Sequence, residues 1–170
     1  PYTSSAASDV YKRQAFNGCT NLTHVEDTKL LAGSNCTLFN LFRDCTGLVS
    51  AICKKWDLSL ANTINSMFRG CSNLEFLDFS GAKIGIQGGS LQAFSHIGTS
   101  TTNGCEFKFT GLQFTNLANH TTNYLFGFSK IKPSSSFANI KFPATEFTGQ
   151  YQWFYSSEVT GTNSVLDCSG

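Results

Sequence analysis

Three stretches of this chain repeat one pattern: residues 16–22 read FNGCTNL, residues 42–48 read FRDCTGL and residues 68–74 read FRGCSNL. Their first residues, Phe16, Phe42 and Phe68, are equally spaced, and the shared form is Phe-x-x-Cys-[Thr/Ser]-x-Leu. A fixed period between about 20 and 50 residues is typical of a solenoid, in which each unit buries its apolar face only against its neighbours. The pattern therefore predicts a repeat protein with an extended surface.

The repeat continues beyond the third stretch with looser spacing. Phe94 follows the third anchor phenylalanine at the same interval, whereas Phe126 and Phe154 follow at longer ones. Together with the first three anchors, these predict about six repeats. Apolar residues three or four positions before an anchor, such as Leu38 and Ile64, have the spacing of a short helix with one buried face.

Short alternating runs follow several of the anchors. The segments 77–79, 107–109, 140–142 and 166–168 each place a charged residue between two apolar ones. Period-two alternation predicts short strands stacked one per repeat. In such a stack, four charged residues would form one outward column of partly compensating charges. These residues are Asp78, Lys108, Lys141 and Asp167.

These elements predict an α/β repeat solenoid with one short strand and one short helix or turn in each repeat. Segments 83–89 and 112–123 are predicted to be variable loops on one face, where insertions have little effect on stability. Residues 1–14 (PYTSSAASDVYKRQ) break the pattern and resemble translated sequencing-adapter DNA, so a non-native tail is expected there. The last residues end within a repeat, which predicts that 15–170 is a fragment of a longer array, truncated at both ends.

Composition and charge narrow the classes of partner. Charged residues make up 14% of the chain, below the roughly 25% usual for soluble domains, and the net charge is +1. There is no run of like charges, so the chain lacks the electrostatic footprint expected for nucleic-acid binding. Since no apolar run approaches about 18 residues, no membrane span is expected.

The cysteines and histidines do not predict chemistry. Cys19, Cys45 and Cys71 recur at the repeat period beside inward residues, so they are predicted to be small buried side chains. If Cys45 is buried, its replacement by serine is expected to be destabilising, because the hydroxyl would lack a partner. No C-x-x-C pair, nucleophile motif or histidine pair at ligand spacing occurs, so no catalytic residue, cofactor or metal is predicted.

One aromatic run is a weaker candidate for ligand contact. Trp153 stands between Tyr151 and Tyr155, an arrangement that could stack on a sugar. However, Trp153 falls at the position directly before the anchor Phe154, where other repeats carry core residues such as Leu41 and Met67. The core interpretation is therefore favoured for the tryptophan, which leaves Tyr151 and Tyr155 as surface candidates.

The pattern Phe-x-Gly-Cys-[Ser/Thr]-Asn-Leu followed by a short strand resembles the BspA-like leucine-rich repeat of bacterial surface proteins. Residues 67–80 match best, and 15–22 and 41–48 match nearly as well, whereas Ile97 and Ser100 replace the Cys and Leu of the motif in the fourth repeat. The resemblance implies a leucine-rich-repeat-like solenoid in a secreted or cell-surface protein. Some members of this family act as adhesins toward host proteins, glycans or other cells.

Repeat architecture and resemblance together predict a non-enzymatic binding or adhesion region that engages a host or cell-surface protein or glycan. The candidate ligand-binding surface is the exposed strand face: His24, Glu26, Phe76, Asp78, Lys108, Lys141 and Asp167. The alternative is a structural spacer, or an accessory targeting module, that presents another domain at a cell surface or on a phage particle.

Overall fold

The computed structural model describes residues 15–34, 36–85, 92–116, 124–141 and 154–160. It is a β-solenoid of about four turns of parallel strands, and no helix occurs in these ranges. The strands are β1 (His24–Val25), β2 (Leu30–Leu31), β3 (Ser50–Ile52), β4 (Trp56–Leu58), β5 (Phe76–Asp78), β6 (Lys83–Gly85), β7 (Glu106–Lys108), β8 (Gln113–Asn116), β9 (Lys130–Ile131) and β10 (Glu158–Val159). The repeat solenoid is confirmed, whereas the α/β prediction with a helix in the repeat is wrong.

Each turn contributes a strand to each of two parallel sheets. The first sheet has the order β1-β3-β5-β7 and the second has the order β2-β4-β6-β8, while β9 and β10 form a parallel pair further along. Of the predicted strands, 77–79 and 107–109 correspond to β5 and β7 of the first sheet, whereas 140–142 was assigned to the wrong sheet, since Lys141 pairs with Gln113 of β8, and 166–168 lies outside the described residues. The strands β6 and β8 lie in the segments 83–89 and 112–123, which were predicted to be loops. Both strands are short and show little alternation of apolar and polar residues.

Alternation along the strands of the first sheet directs one residue per strand into the core. Ala51, Leu77 and Phe107, the central residues of β3, β5 and β7, are fully buried and lie opposite one another in register. Their flanking residues are half-buried and face outward. The second sheet closes the core from the other side with Ile84 and Phe114.

The six anchor phenylalanines form one continuous stack along the solenoid. The centroid separations of successive rings are 5.2 Å for Phe16–Phe42, 5.0 Å for Phe42–Phe68, 6.2 Å for Phe68–Phe94, 5.5 Å for Phe94–Phe126 and 5.0 Å for Phe126–Phe154. Backbone amides of the anchors also bond to carbonyls of the next coil, as from Phe42 to Met67 at 2.8 Å. The predicted anchors are therefore equivalent in the structure, including those with longer spacings.

Tight turns, and not helices, carry the anchors. The residue two positions after each anchor has a left-handed backbone, with φ between 50° and 78°: Gly18, Asp44, Gly70, His96, Phe128 and Ser156. Asn40, Ser66 and Tyr124, two positions before an anchor, are left-handed as well. A left-handed residue cannot continue a right-handed helix. The helix-like spacing of apolar residues instead arises from consecutive turns around the anchor. In the second repeat, for example, the Arg43 N–H donates to the Asn40 carbonyl and the Cys45 N–H to the Phe42 carbonyl.

A column of small polar donors follows the anchors. Cys45, Cys71, Ser129 and Ser157 each donate a side-chain hydrogen bond to the carbonyl of the anchor one coil earlier, at 2.8, 3.1, 2.9 and 2.6 Å. The predicted burial of the cysteine column is confirmed for Cys45 and Cys71, while Cys19 is half-buried. Burial raises the pKa of the Cys45 thiol to about 11. A hydroxyl at this position would have a partner, so the reason given for a destabilising serine is wrong.

Candidate binding surfaces

The outward side of the first sheet forms a surface that we call the strand face. It consists of two rows that run across the stacked strands: His24, Ser50, Phe76 and Glu106 in one, and Ile52, Asp78, Lys108 and Ser136 in the other. At about 4.8 Å per strand, four strands give a width of about 14 Å between the outer backbones. Phe76 and Ile52 are half-buried and lie on the inner strands β5 and β3, and the other residues of the two rows are polar.

Charges on the strand face are paired locally. The ammonium of Lys108 lies 2.8 Å from Glu106 Oε1 on the same strand, and it also donates to the Ser134 carbonyl at 3.3 Å. Asp78 lies opposite Lys108 in register, as predicted, and its carboxylate accepts the backbone N–H of Ser80 at 2.9 Å. These contacts hold the charged groups at the edge of the apolar centre.

The other three residues predicted for this face have different outcomes. Glu26 is exposed and follows β1 directly. Lys141 was predicted to share the column of Lys108, and this is wrong: Ser136 lies opposite Lys108, while Lys141 lies opposite Gln113 in the second sheet. The error arose because the true equivalent of 107–109 is a serine-rich segment with no charge alternation. Asp167 lies outside the described residues.

The second sheet also carries a pair of opposite charges across its strands. Asp57 and Lys83 lie opposite each other on β4 and β6, with Asp57 Oδ2 and Lys83 Nζ 3.5 Å apart. A hydrogen bond from the Ser59 hydroxyl holds the pKa of Asp57 below its usual value, and the charge of Lys83 lowers it further. Because both side chains are largely solvated, this pair contributes little to stability.

An exposed aromatic group on the turns was not predicted as a site. We call it the turn-face cluster: His96, Tyr124, Phe128 and Tyr155. Ring centroids are 4.9 Å apart for His96–Phe128, 6.1 Å for Tyr124–Phe128, 4.9 Å for Tyr124–Tyr155 and 5.5 Å for Phe128–Tyr155. Phe128 is 39% exposed and Tyr155 46% exposed. Only Tyr155 was a surface candidate; the available signal for Phe128 was its place two residues after an anchor, where two other repeats carry glycine.

Backbone strain accompanies this cluster. His96, Tyr124 and Phe128 have φ values of 56°, 65° and 57°. The left-handed conformation is unfavourable by roughly 1–2 kcal/mol for a residue with a side chain, and such strain collects at functional sites. The chain thus places His96 and Phe128 where its own first and third repeats use Gly18 and Gly70.

Charged residues continue from the cluster along the same face. Partial burial lowers the pKa of His96, and the positive charge of Arg69 lowers it further, against a smaller opposite effect of Asp44. The Asp44 carboxylate lies over Gly70, where a Cβ atom would collide with it, and it pairs with Arg43 at 3.2 Å. No hydrogen bond or ion pair engages the Arg69 guanidinium within the ranges that the structure describes.

A cavity of about 750 Å³ opens at the first described coil. Its lining includes Phe16, Leu30, Leu41 and Trp56, the side chains that other coils bury against a neighbour. The indole N–H of Trp56 is buried there and has no partner among the described residues. This cavity lies at the first coil of the described apolar core and has one buried donor inside it.

Among the described residues, no three His, Cys, Asp or Glu side chains come close enough to hold a metal ion. The same residues form no helix with the length and apolar character needed to cross a bilayer. The fold defines the class of the protein: it is a β-solenoid with two sheet faces and a turn face. No protein-family model, curated protein or solved structure matches the chain.

Proposed function

We propose that this solenoid is a non-enzymatic binding region of a secreted or cell-surface bacterial protein of the BspA-like leucine-rich-repeat type. The partner is a host or cell-surface protein or glycan that docks on the strand face. The observation that carries the proposal is the placement of half-buried Phe76 and Ile52 on the inner strands of that face, with Asp78, Glu106 and Lys108 beside them on β5 and β7.

The arrangement of the strand face supports a binding role. Protein-binding patches place apolar or aromatic residues at the centre and polar residues at the rim. A parallel sheet holds such residues in fixed register, so little conformational entropy is lost when a partner docks. Half-burial of Phe76 leaves part of its ring available while its backbone is paired on both sides.

The experiment compares two strand-face variants with a matched control in binding to a panel of extracellular proteins and immobilised glycans. Phe76→Ala and Lys108→Glu are expected to weaken binding about tenfold each, since a central ring and a rim charge are lost. Lys141→Glu makes the same charge reversal on the second sheet and is expected to leave binding unchanged. Equal binding by all variants, with the fold intact, would argue against the strand face.

A structural spacer is the second candidate, and the continuous anchor stack favours it. The six rings and the coil-to-coil backbone hydrogen bonds join every described coil to the next along one axis. Such a rod holds attached domains at a fixed separation. A spacer would tolerate Phe76→Ala and Lys108→Glu in every adhesion assay, so the same variants separate the two candidates.

A further inference from the structure

We propose that the turn-face cluster, together with Arg69, is a second binding site, and that its ligand is a glycan with acidic pyranose units. This site lies on the turns and shares no residue with the strand face, so it stands independently of the proposed function. Its charged groups follow from the repeat: Arg69 directly succeeds the anchor Phe68, as Arg43 succeeds Phe42.

Aromatic residues of the cluster occupy turn positions whose left-handed backbone is unfavourable for them. Gly18 and Gly70 occupy the left-handed position two residues after the anchor, and glycine adopts that backbone freely. His96 and Phe128 occupy the equivalent position with bulky side chains. The aromatic side chains are therefore not required by the turn, and Phe128 remains 39% exposed after making its contacts. Phe128 is thus an exposed ring at a strained backbone position, which points to a ligand that uses it.

Ring geometry excludes one class of ligand and favours another. The four centroids lie only 4.9–6.1 Å from their neighbours, which is ring-to-ring contact. A cage for a quaternary ammonium needs space between rings, and here there is none. His96 and Phe128 stack at an interplanar angle of 27°, whereas Phe128 and Tyr155 meet at 74°, so the exposed parts of Phe128 and Tyr155 form an inclined aromatic surface and not a flat one. The C–H face of a pyranose carries weak positive charge and packs against the negative face of an aromatic ring.

The positive charge of Arg69 favours an acidic sugar over a neutral one. Arg43 and Asp44 neutralise each other, His96 is held toward its neutral form, and Arg69 is left as the unpaired cation beside the rings in the described part of the chain. A guanidinium presents two parallel donors that match a carboxylate. In an acidic oligosaccharide that spans the coils, a uronate unit beside His96 would complete that pair, while neighbouring units contact Phe128 and Tyr155.

The test measures binding of a galacturonic acid hexamer and of its neutral galactose counterpart by isothermal titration calorimetry. The acidic hexamer is expected to bind more tightly. Phe128→Gly and Tyr155→Ala should weaken binding of both hexamers about tenfold, while Arg69→Gln should weaken only the acidic one, also by about tenfold. Phe128→Gly installs the residue that the turn itself favours, so it removes the ring without straining the fold.

The control is Phe76→Ala, which deletes a ring from the strand face and should not change hexamer binding. Absence of binding to either hexamer at millimolar concentration overturns the proposal, as does equal binding by the two cluster variants and the wild type. Equal affinity for the two hexamers overturns the acidic specificity. If neither hexamer binds but the cluster variants lose capture of a protein in the extracellular panel, the ligand is a protein and the glycan assignment is wrong.

Discussion

The early coils, residues 15–85, and the later ones, residues 92–160, build the same stack from different sequences. In the early coils the anchors are evenly spaced. The second residue after the anchor is Gly or Asp, and the third is Cys. In the later coils the spacing becomes longer and uneven, and the same positions hold His, Phe or Ser, then Ile or Ser. Anchor rings nevertheless stack through both regions at 5.0–6.2 Å.

Comparison of the early and later coils shows which features the fold requires. Both regions keep a large ring at the anchor and a left-handed backbone two residues later. Most coils also keep a donor for the previous anchor carbonyl, supplied by a thiol in one region and a hydroxyl in the other. Since a buried carbonyl needs a donor but does not specify which atom provides it, the motif can change while the structure is preserved.

The largest effect is expected from deleting an anchor ring. Phe68→Ala should lower the free energy of unfolding by about 3–5 kcal/mol, because the ring is fully buried between Phe42 and Phe94. Phe126→Ala, in the later coils, should cause a loss of similar size, since that ring is 1% exposed and stacks on both sides. Denaturant unfolding measures both values. A loss for Phe126→Ala far below that of Phe68→Ala would show that the later stack is not cooperative with the early one.

The anchor stack and the strands β5 and β7 of the first sheet could be predicted because their signals repeat. Apolar residues recur from coil to coil at the positions of Phe68 and Leu77, for example, and burial follows from that recurrence. Helices were predicted wrongly because apolar spacing does not report the sign of φ. Asn40 and Asp44 are residue types that tolerate the left-handed region, and in hindsight their placement around Phe42 marks two turns.

The surfaces could be predicted only in part. His24, Phe76, Asp78 and Lys108 lie on the outer side of the first sheet as expected, because period-two alternation decides which side a residue faces. Lys141 was assigned to the wrong sheet because insertions between the later coils change the spacing of the repeat. The turn-face cluster depends on contacts between side chains of different coils, such as Phe128 with His96, which no local pattern encodes.

The next effect tests whether the left-handed position follows one rule in both regions. Gly70→Ala should lower the free energy of unfolding by about 1–2 kcal/mol, because φ is +78° and the new Cβ meets the Asp44 carboxylate. Phe128→Gly should change stability by less than about 1 kcal/mol, since relief of strain offsets the lost ring contacts. Thermal and denaturant unfolding of both variants give the comparison. A large loss in Phe128→Gly alone would mean that the exposed cluster is needed for folding.

The smallest effect is expected where the two regions exchange sulfur and oxygen. Cys45→Ser should destabilise by less than about 1 kcal/mol, because the hydroxyl can donate to the Phe16 carbonyl as Ser129 donates to the Phe94 carbonyl at 2.9 Å. Cys45→Ala is the matched control: it leaves that carbonyl without its side-chain donor and should be the more destabilising of the two changes. Equal losses for serine and alanine, measured by denaturant unfolding, would mean that packing of the sulfur and not the hydrogen bond selects cysteine in the early coils.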